Sequence, residues 1–147
     1  MNKKNKAFTL VEVLVFTVIL TLFFVSAVSI TTMTIKQAEI NKNKIIATHY
    51  ADELLSMLQS EREFGWDTFV SHAPSGSKTF CVNGDEINWL ITTCDPQFAL
   101  NGFERTVTLK PVGSPVSQMT VLINVKWQEG GNTYQAPLQS VFNLWEQ

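Results

Sequence analysis

The sequence predicts an α+β chain in which one long N-terminal helix packs on an antiparallel β-sheet. No glycine or proline occurs before Gly65, so nothing interrupts a helix from about Phe8 to Phe64. After Pro74 the apolar residues recur with period two, and β-branched and aromatic residues become frequent. The last two of these segments are separated by Glu129-Gly130-Gly131-Asn132, and a Gly-Gly pair is a turn signal of a β-hairpin.

The first half of the predicted helix has the length and composition of a membrane span. Between Lys6 and Lys36 lie 29 residues with one ionisable side chain, Glu12. About 20 apolar residues at 1.5 Å each cross a hydrocarbon core of roughly 30 Å. The stretch is longer than the apolar region of a cleaved signal peptide, which has about 7 to 15 residues. A plain signal anchor fits the length equally well. The lysines before this stretch predict that the N-terminus is cytoplasmic and that the chain after Lys36 lies outside.

The second half of the predicted helix is amphipathic. Charged residues appear from Lys36 onward, and one apolar stripe follows at helical spacing: Ala47, Tyr50, Ala51, Leu54, Leu55 and Leu58. Such a stripe is typical of a helix face buried in a core, and the chain that follows is the only surface available to cover it. Gly65 is the expected C-terminal cap of the helix, with a loop after it.

Four strands are predicted in the remaining chain: Thr79 to Val82, Glu104 to Lys110, Gln118 to Gln128 and Thr133 to Leu144. In the third of these, Val121, Ile123 and Val125 alternate with mostly polar residues. This strand therefore buries one side, and the expected product is an antiparallel sheet on the amphipathic half of the helix.

Glu12 distinguishes this chain from an ordinary signal anchor. A carboxylate near the centre of a membrane helix costs about 2.5 to 3.5 kcal/mol, and an isolated anchor offers nothing in return. The order Lys6-Ala7-Phe8-Thr9-Leu10-Val11-Glu12-Val13 resembles the class III signal of type IV pilins and pseudopilins. The resemblance implies that prepilin peptidase cleaves between Ala7 and Phe8 and that Phe8 is then N-methylated. It also implies that Glu12 pairs with the N-terminal amine of a neighbouring subunit.

Two features depart from the pattern of that family. The residue before the cleavage site is usually glycine and here is Ala7. Major pilins often carry a proline within this helix, whereas the first proline of this chain is Pro74. A proline kink is therefore not expected.

The resemblance implies a division of the chain into four parts. Residues 1–7 form a leader peptide, and residues 8–35 form a transmembrane helix that also builds the filament core. Residues 36–64 continue this helix, and residues 65–147 form a β-rich extracytoplasmic head. The chain from Phe103 onward also resembles the minor pilins called type IV pilus modification proteins and the I-type minor pseudopilin of type II secretion, which favours a minor subunit.

Cys81 and Cys94 are the only cysteines, and the predicted topology places both outside the reducing cytoplasm. A disulfide between them is the expected state, and two separate buried thiols are the alternative. The spacing is not that of a Cys-x-x-Cys redox site, and a zinc site would need two further ligands.

The remaining polar clusters have structural interpretations. Neither His49 nor His72 has a partner at a catalytic spacing, so both are expected at the surface or its boundary. The predicted disulfide loop or its flank carries four oxygen ligands that can hold calcium, but a solvated acidic loop fits them better because they lack an EF-hand pattern: Asn83, Asp85, Glu86 and Asp95.

Nucleic-acid binding is not expected. From Glu61 onward the chain has five basic and nine acidic residues, whereas single-strand binders combine aromatic residues with a basic groove. The four tryptophans are therefore assigned to the core and the sheet surface: Trp66, Trp89, Trp127 and Trp145.

The function that the resemblance implies is that of a structural minor subunit of a type IV pilus-like filament. Its partners would be other pilins or pseudopilins through the N-terminal helix, prepilin peptidase, the inner-membrane assembly platform and the cytoplasmic membrane. Its location would be the cytoplasmic membrane with the head outside, and then a pilus or periplasmic pseudopilus. The alternative is a membrane-anchored extracytoplasmic ligand-binding domain that does not polymerise. No arrangement of acid, base or nucleophile supports an enzyme, and no cofactor or metal is expected.

Overall fold

The computed structural model describes residues 9–83, 86–94 and 99–144, with only the backbone of Glu86. The chain divides into two compact units, Met1–Ile40 and Asn41–Gln147. Helix α1 (Leu10–Phe64) has 55 residues, and its first 31 belong to the first unit. The predicted helix end at Phe64 is confirmed, whereas the predicted start at Phe8 lies outside the described residues.

The chain after Gly65 forms a second helix rather than the predicted loop. Helix α2 (Trp66–Ser71) begins directly after Gly65, whose φ of 176° is extended backbone and not the left-handed conformation of a glycine cap. The backbone N–H of Phe69 donates to the carbonyl of Gly65 at 3.0 Å, and the Phe69 side chain is fully buried. Burial of this ring stabilises a helix that is too short to form alone.

The second unit contains one antiparallel sheet of five strands in the order β2-β1-β3-β4-β5. The strands are β1 (Lys78–Asn83), β2 (Glu86–Ile87), β3 (Phe103–Val112), β4 (Gln118–Glu129) and β5 (Asn132–Asn143). The four predicted strands are present with ends shifted by up to two residues. The short strand β2 was not predicted, and it pairs with β1 through Val82–Ile87 and Asn83–Glu86.

The β4–β5 hairpin has the predicted glycine turn. Glu129 pairs with Asn132, and the two residues between them, Gly130 and Gly131, have φ values of 57° and 80°. Positive φ at both central positions defines a type I′ turn, which matches the twist of the flanking strands and which glycine adopts without strain.

The core of the second unit lies between α1 and one face of the sheet. The predicted apolar stripe supplies Ala47, Ala51, Leu54 and Leu58, all buried, while Tyr50 and Leu55 pack against them from partly buried positions. The alternating positions of β3 and β4 supply most of the opposite side, including Val107, Leu109, Val121, Ile123 and Val125. The fold is therefore the predicted α+β arrangement of a long helix and an antiparallel sheet.

Specific hydrogen bonds join the helices to the sheet and its loops. The side-chain amide of Asn43 donates to a carboxylate oxygen of Glu129 at 2.9 Å. The indole N–H of Trp66 donates to the carbonyl of Val116 at 3.1 Å. The first contact therefore joins α1 to the end of β4, and the second joins α2 to the loop between β3 and β4.

Candidate functional site: the apolar helix and the disulfide-linked loop

None of the described residues covers the apolar part of α1. Every residue from 10 to 35 is exposed, and the most apolar window of the helix has none of its residues buried. The large apolar side chains are at least 41% exposed, as Leu14 at 56%, Phe16 at 64% and Phe23 at 68% illustrate. The segment is long and apolar enough to cross a membrane. Its natural surroundings are therefore lipid or other apolar helices.

The hydroxyl groups of this segment are satisfied within the helix. Each donates to a carbonyl three or four residues earlier, at distances from 2.8 to 3.1 Å. This arrangement conceals the polar hydrogens from an apolar environment. The residues are Thr17, Thr21, Ser26, Ser29, Thr31, Thr32 and Thr34.

Glu12 is the one ionisable residue among residues 10–35. It lies in the first turn of α1, where its backbone N–H donates to the carbonyl of Thr9 at 3.0 Å and approaches the Thr9 hydroxyl at 3.4 Å. Within the described part of the chain, nothing donates to or pairs with its carboxylate. The positive end of the helix dipole favours a carboxylate at this position. Among the residues that the structure describes, this charge therefore has no specific partner.

The spacing of Thr9 and Glu12 also matches a helix-capping motif. A threonine followed three positions later by glutamate is the pattern of a capping box, in which the hydroxyl accepts from the backbone of the glutamate. The 3.4 Å contact between the Glu12 backbone N–H and the Thr9 hydroxyl is one half of such a box, at a long distance for a hydrogen bond. Glu12 thus also has a local interpretation, as a helix-capping residue, in addition to the pairing that the resemblance implies.

The structure contains the expected disulfide. Cys81 on β1 is bonded to Cys94, with a Cα–Cα distance of 5.3 Å. The backbone N–H of Cys81 also donates to the carbonyl of Ile91 at 2.9 Å, and the N–H of Leu90 donates to the Asn88 side chain at 3.0 Å. The segment between β2 and Cys94 is therefore fastened to β1 by covalent and hydrogen bonds.

His72 packs against this fastened segment. Its ring stacks on Trp89 with a centroid distance of 3.9 Å, and Trp89 meets the buried ring of Phe80 edge to face at 5.1 Å. The Nε2 atom of His72 is buried and has no hydrogen-bond partner within the described residues. Burial lowers the pKa of His72, the charge of Glu61 opposes this effect, and Lys78 lowers the pKa further. His72 is therefore a boundary residue, as expected, whereas His49 is exposed.

The remaining candidate residues are only partly described. Ala7 and Phe8, the predicted cleavage site, lie outside the described residues. Asp85 and Asp95 of the predicted acidic loop also lie outside them, while Asn83 ends β1 and Glu86 begins β2. The tryptophan assignments hold for Trp66, Trp89 and Trp127, which are partly or fully buried, and Trp145 lies outside the description.

Comparisons with known proteins address the N-terminal segment. The family described as the prokaryotic N-terminal methylation motif matches residues 2–28. No curated protein and no solved structure matches the chain. The motif indicates a prepilin of the type IV pilin or pseudopilin kind, a structural rather than enzymatic class whose members assemble with other pilin subunits after processing by prepilin peptidase. With this motif, a long apolar N-terminal helix and an antiparallel sheet, the chain resembles type IV pilin-like proteins.

Proposed function

We propose that the chain is a minor structural subunit of a type IV pilus-like filament or pseudopilus. In this proposal it is inserted in the cytoplasmic membrane with the head outside, cleaved between Ala7 and Phe8, and N-methylated on Phe8. It then enters the filament through residues 8–35, with residues 36–64 and 65–147 remaining outside the membrane. The inner-membrane assembly platform draws it from the lipid.

The observation that carries this proposal is the position of Glu12. It is a carboxylate without a partner in the described chain, on a helix segment whose surface is otherwise apolar and whose hydroxyls are internally satisfied. A charge in hydrocarbon is costly unless another charge pairs with it. The N-terminal amine of a processed neighbouring subunit supplies that partner only in an assembly.

The minor role is supported by the C-terminal half of the chain. The strands from Phe103 onward resemble the endings of minor pilins and minor pseudopilins. The absence of proline from α1, where major pilins often carry one, agrees with this choice.

Two substitutions at Glu12 test the proposal and separate it from helix capping. Glu12→Gln keeps a side chain that a capping box accepts but removes the charge, and Glu12→Leu removes both. If Glu12 pairs with an amine, both variants leave that amine unpaired, at a cost of about 3 to 5 kcal/mol. We expect both to insert in the membrane and to be processed normally, yet to be strongly depleted from extracted filaments relative to their membrane level.

Normal incorporation of Glu12→Leu would reject a filament subunit that depends on Glu12 and would favour the anchored ligand-binding domain. Rescue by Glu12→Gln alone would assign the residue to helix capping. Thr17→Val is the matched control, because it changes a polar residue of the same segment whose hydroxyl already bonds within the helix.

A further inference from the structure

The sheet of the second unit has an open edge along β5. All twelve residues of β5 pair with β4, and β5 is the last strand in the sheet order. No described strand pairs with its other side. An open strand edge presents backbone N–H and C=O groups to solvent or to another chain.

The glycine turn determines which residues of β5 face that edge. In a two-residue hairpin the closing pair, here Glu129 and Asn132, exchanges backbone hydrogen bonds, and every second residue thereafter does the same. Even-numbered residues of β5 therefore bond to β4. The backbone N–H of Leu144 agrees with this parity, because it donates to the carbonyl of Ser117 just before β4 at 2.9 Å. Odd-numbered residues face the open edge.

Pro137 divides this edge into two halves. Its odd number places it among the edge-facing residues, where the missing N–H breaks no bond to β4. The half beyond it, Leu138–Asn143, retains edge-facing donors and acceptors at Gln139, Val141 and Asn143. Natural edge strands commonly carry charged residues that prevent pairing with other chains. No charged residue occurs anywhere in β5.

A cavity lies at the end of this half of the strand. It has a volume of about 530 Å³, and Asn143 and Leu144 line it together with Phe64 and Trp66 from the α1–α2 junction. The Phe64 side chain is 87% exposed and that of Leu144 is 48% exposed. Arg62 and Glu63, which also line the cavity, form an ion pair at 3.8 Å. The wall thus combines the apolar side chains of Phe64, Trp66 and Leu144 with polar groups, and its two opposite charges lie close together.

We propose that the open edge at Leu138–Asn143 and this cavity together bind an extended, uncharged segment of a neighbouring filament subunit. The segment adds a strand to the sheet, and one of its apolar side chains enters the cavity beside Phe64. Only a polypeptide repeats donors and acceptors at the two-residue spacing of this edge. Backbone pairing gives affinity and the cavity gives selectivity, as in other cases of strand addition. This inference rests on the proposed function.

Substitutions at Val141 test the backbone pairing. Val141→Pro removes one edge-facing N–H at a position equivalent to the tolerated Pro137, and Val141→Ala removes the same side chain but keeps the N–H. Loss of one intermolecular hydrogen bond predicts roughly two- to tenfold lower filament incorporation for Val141→Pro than for Val141→Ala. Incorporation is measured against the membrane level of each variant.

Substitutions of two exposed apolar residues test the cavity. Phe64→Ala is expected to lower incorporation, whereas Leu90→Ala, at a similarly exposed leucine that does not line the cavity, is expected to leave it unchanged. Equal incorporation of the two variants would overturn the cavity's role.

Hydrogen exchange of the unmodified chain gives a measurement that does not depend on a variant folding. The amides of Gln139, Val141 and Asn143 should exchange roughly tenfold or more slowly in filaments than in the membrane-bound subunit. The amides of Ser140 and Phe142, which bond to β4, should be protected in both states.

Filaments that contain the chain but in which the three edge-facing amides still exchange rapidly would overturn this inference alone. Absence of the chain from filaments would overturn the proposed function with it. Slow exchange of the three edge-facing amides in a purified homodimer, with no other subunit present, would overturn the neighbouring subunit as the source of the bound segment. The source would then be a second copy of this chain.

Discussion

Arg105 is the buried charged residue among the described residues, with 1% of its surface exposed in the middle of β3. Its guanidinium carbon lies 5.3 Å from the centre of the Tyr50 ring, which belongs to the apolar stripe of α1. A guanidinium over an aromatic face is stabilised by the ring quadrupole, and more so when water is excluded. The period-two pattern of β3 places position 105 on the core face. Arginine is rarely fully buried in proteins, so the sequence did not reveal this buried cation.

His72 supplies a pH dependence at the same scale. Its pKa in the folded chain lies below the ordinary value of 6.5, chiefly because of burial. The unfolded chain therefore binds a proton more readily. The contribution of neutral His72 to stability is fully present above about pH 6.5 and is lost as the pH falls through the pKa of the folded chain.

We expect His72→Phe to remove this part of the acid sensitivity. Phenylalanine keeps an aromatic ring beside Trp89 but has no proton to gain. The measurement is the denaturant midpoint of the full chain in detergent at pH 7.5 and pH 5. His49→Phe is the control, since His49 is exposed on α1 and is the only other histidine. An unchanged difference between the two pH values in His72→Phe would show that other groups cause the acid sensitivity.

The elements of the fold differ in how well the sequence predicts them. Helix α1 was predictable from the absence of glycine and proline along it and from the apolar stripe between Ala47 and Leu58, and the β4–β5 hairpin from a period of two that repeats along two long strands. Helix α2 has six residues and β2 has two, too few for any period to appear. Contacts with distant parts of the chain stabilise both elements. Phe69 of α2 is buried in the core, and Ile87 of β2 pairs with Val82 of β1. Such contacts are not visible in a local pattern.

The disulfide between Cys81 and Cys94 can be tested by alkylation. We expect Cys81 and Cys94 to remain unmodified when envelope protein is alkylated under denaturing, non-reducing conditions, and both to react after reduction. Closure of a loop with a sequence separation of 13 stabilises the fold by about 2 to 3 kcal/mol in chain-entropy terms. The Cys81→Ala, Cys94→Ala double variant should therefore unfold at a lower denaturant concentration. Free labelling of both thiols without reduction would contradict the disulfide.

At the scale of the whole molecule, the sequence predicted the α+β class and the methylation motif because both depend on long or position-specific signals. The motif match to residues 2–28 agrees with the resemblance seen at Phe8 and Glu12. The open edge of β5 was not predicted, since strand order and hydrogen-bond parity follow from how the strands assemble. One set of strand sequences is compatible with several orders of the strands in a sheet.

Processing is the prediction that concerns the entire chain. We expect membrane fractions to contain a chain that begins with N-methylated Phe8 and lacks residues 1–7. Intact-mass and N-terminal peptide mass spectrometry measure this directly. A strain without prepilin peptidase serves as the control and should retain the residues before Phe8. An unprocessed chain in cells with an active peptidase would show that Ala7 is not accepted before the cleavage site.

The internally bonded hydroxyls of α1 affect how a neighbouring helix packs on residues 10–35. Since each of these Ser and Thr hydroxyls already donates to its own helix, a helix packed on residues 10–35 finds no side-chain hydroxyl hydrogen to anchor to. The remaining contacts of this surface are apolar and non-directional, so they define a neighbour's axial position less sharply than hydrogen bonds do. Glu12 is the one ionisable side chain among residues 10–35 that can fix this position through a charge. Such a surface would suit the proposed transfer of the subunit from lipid into a filament.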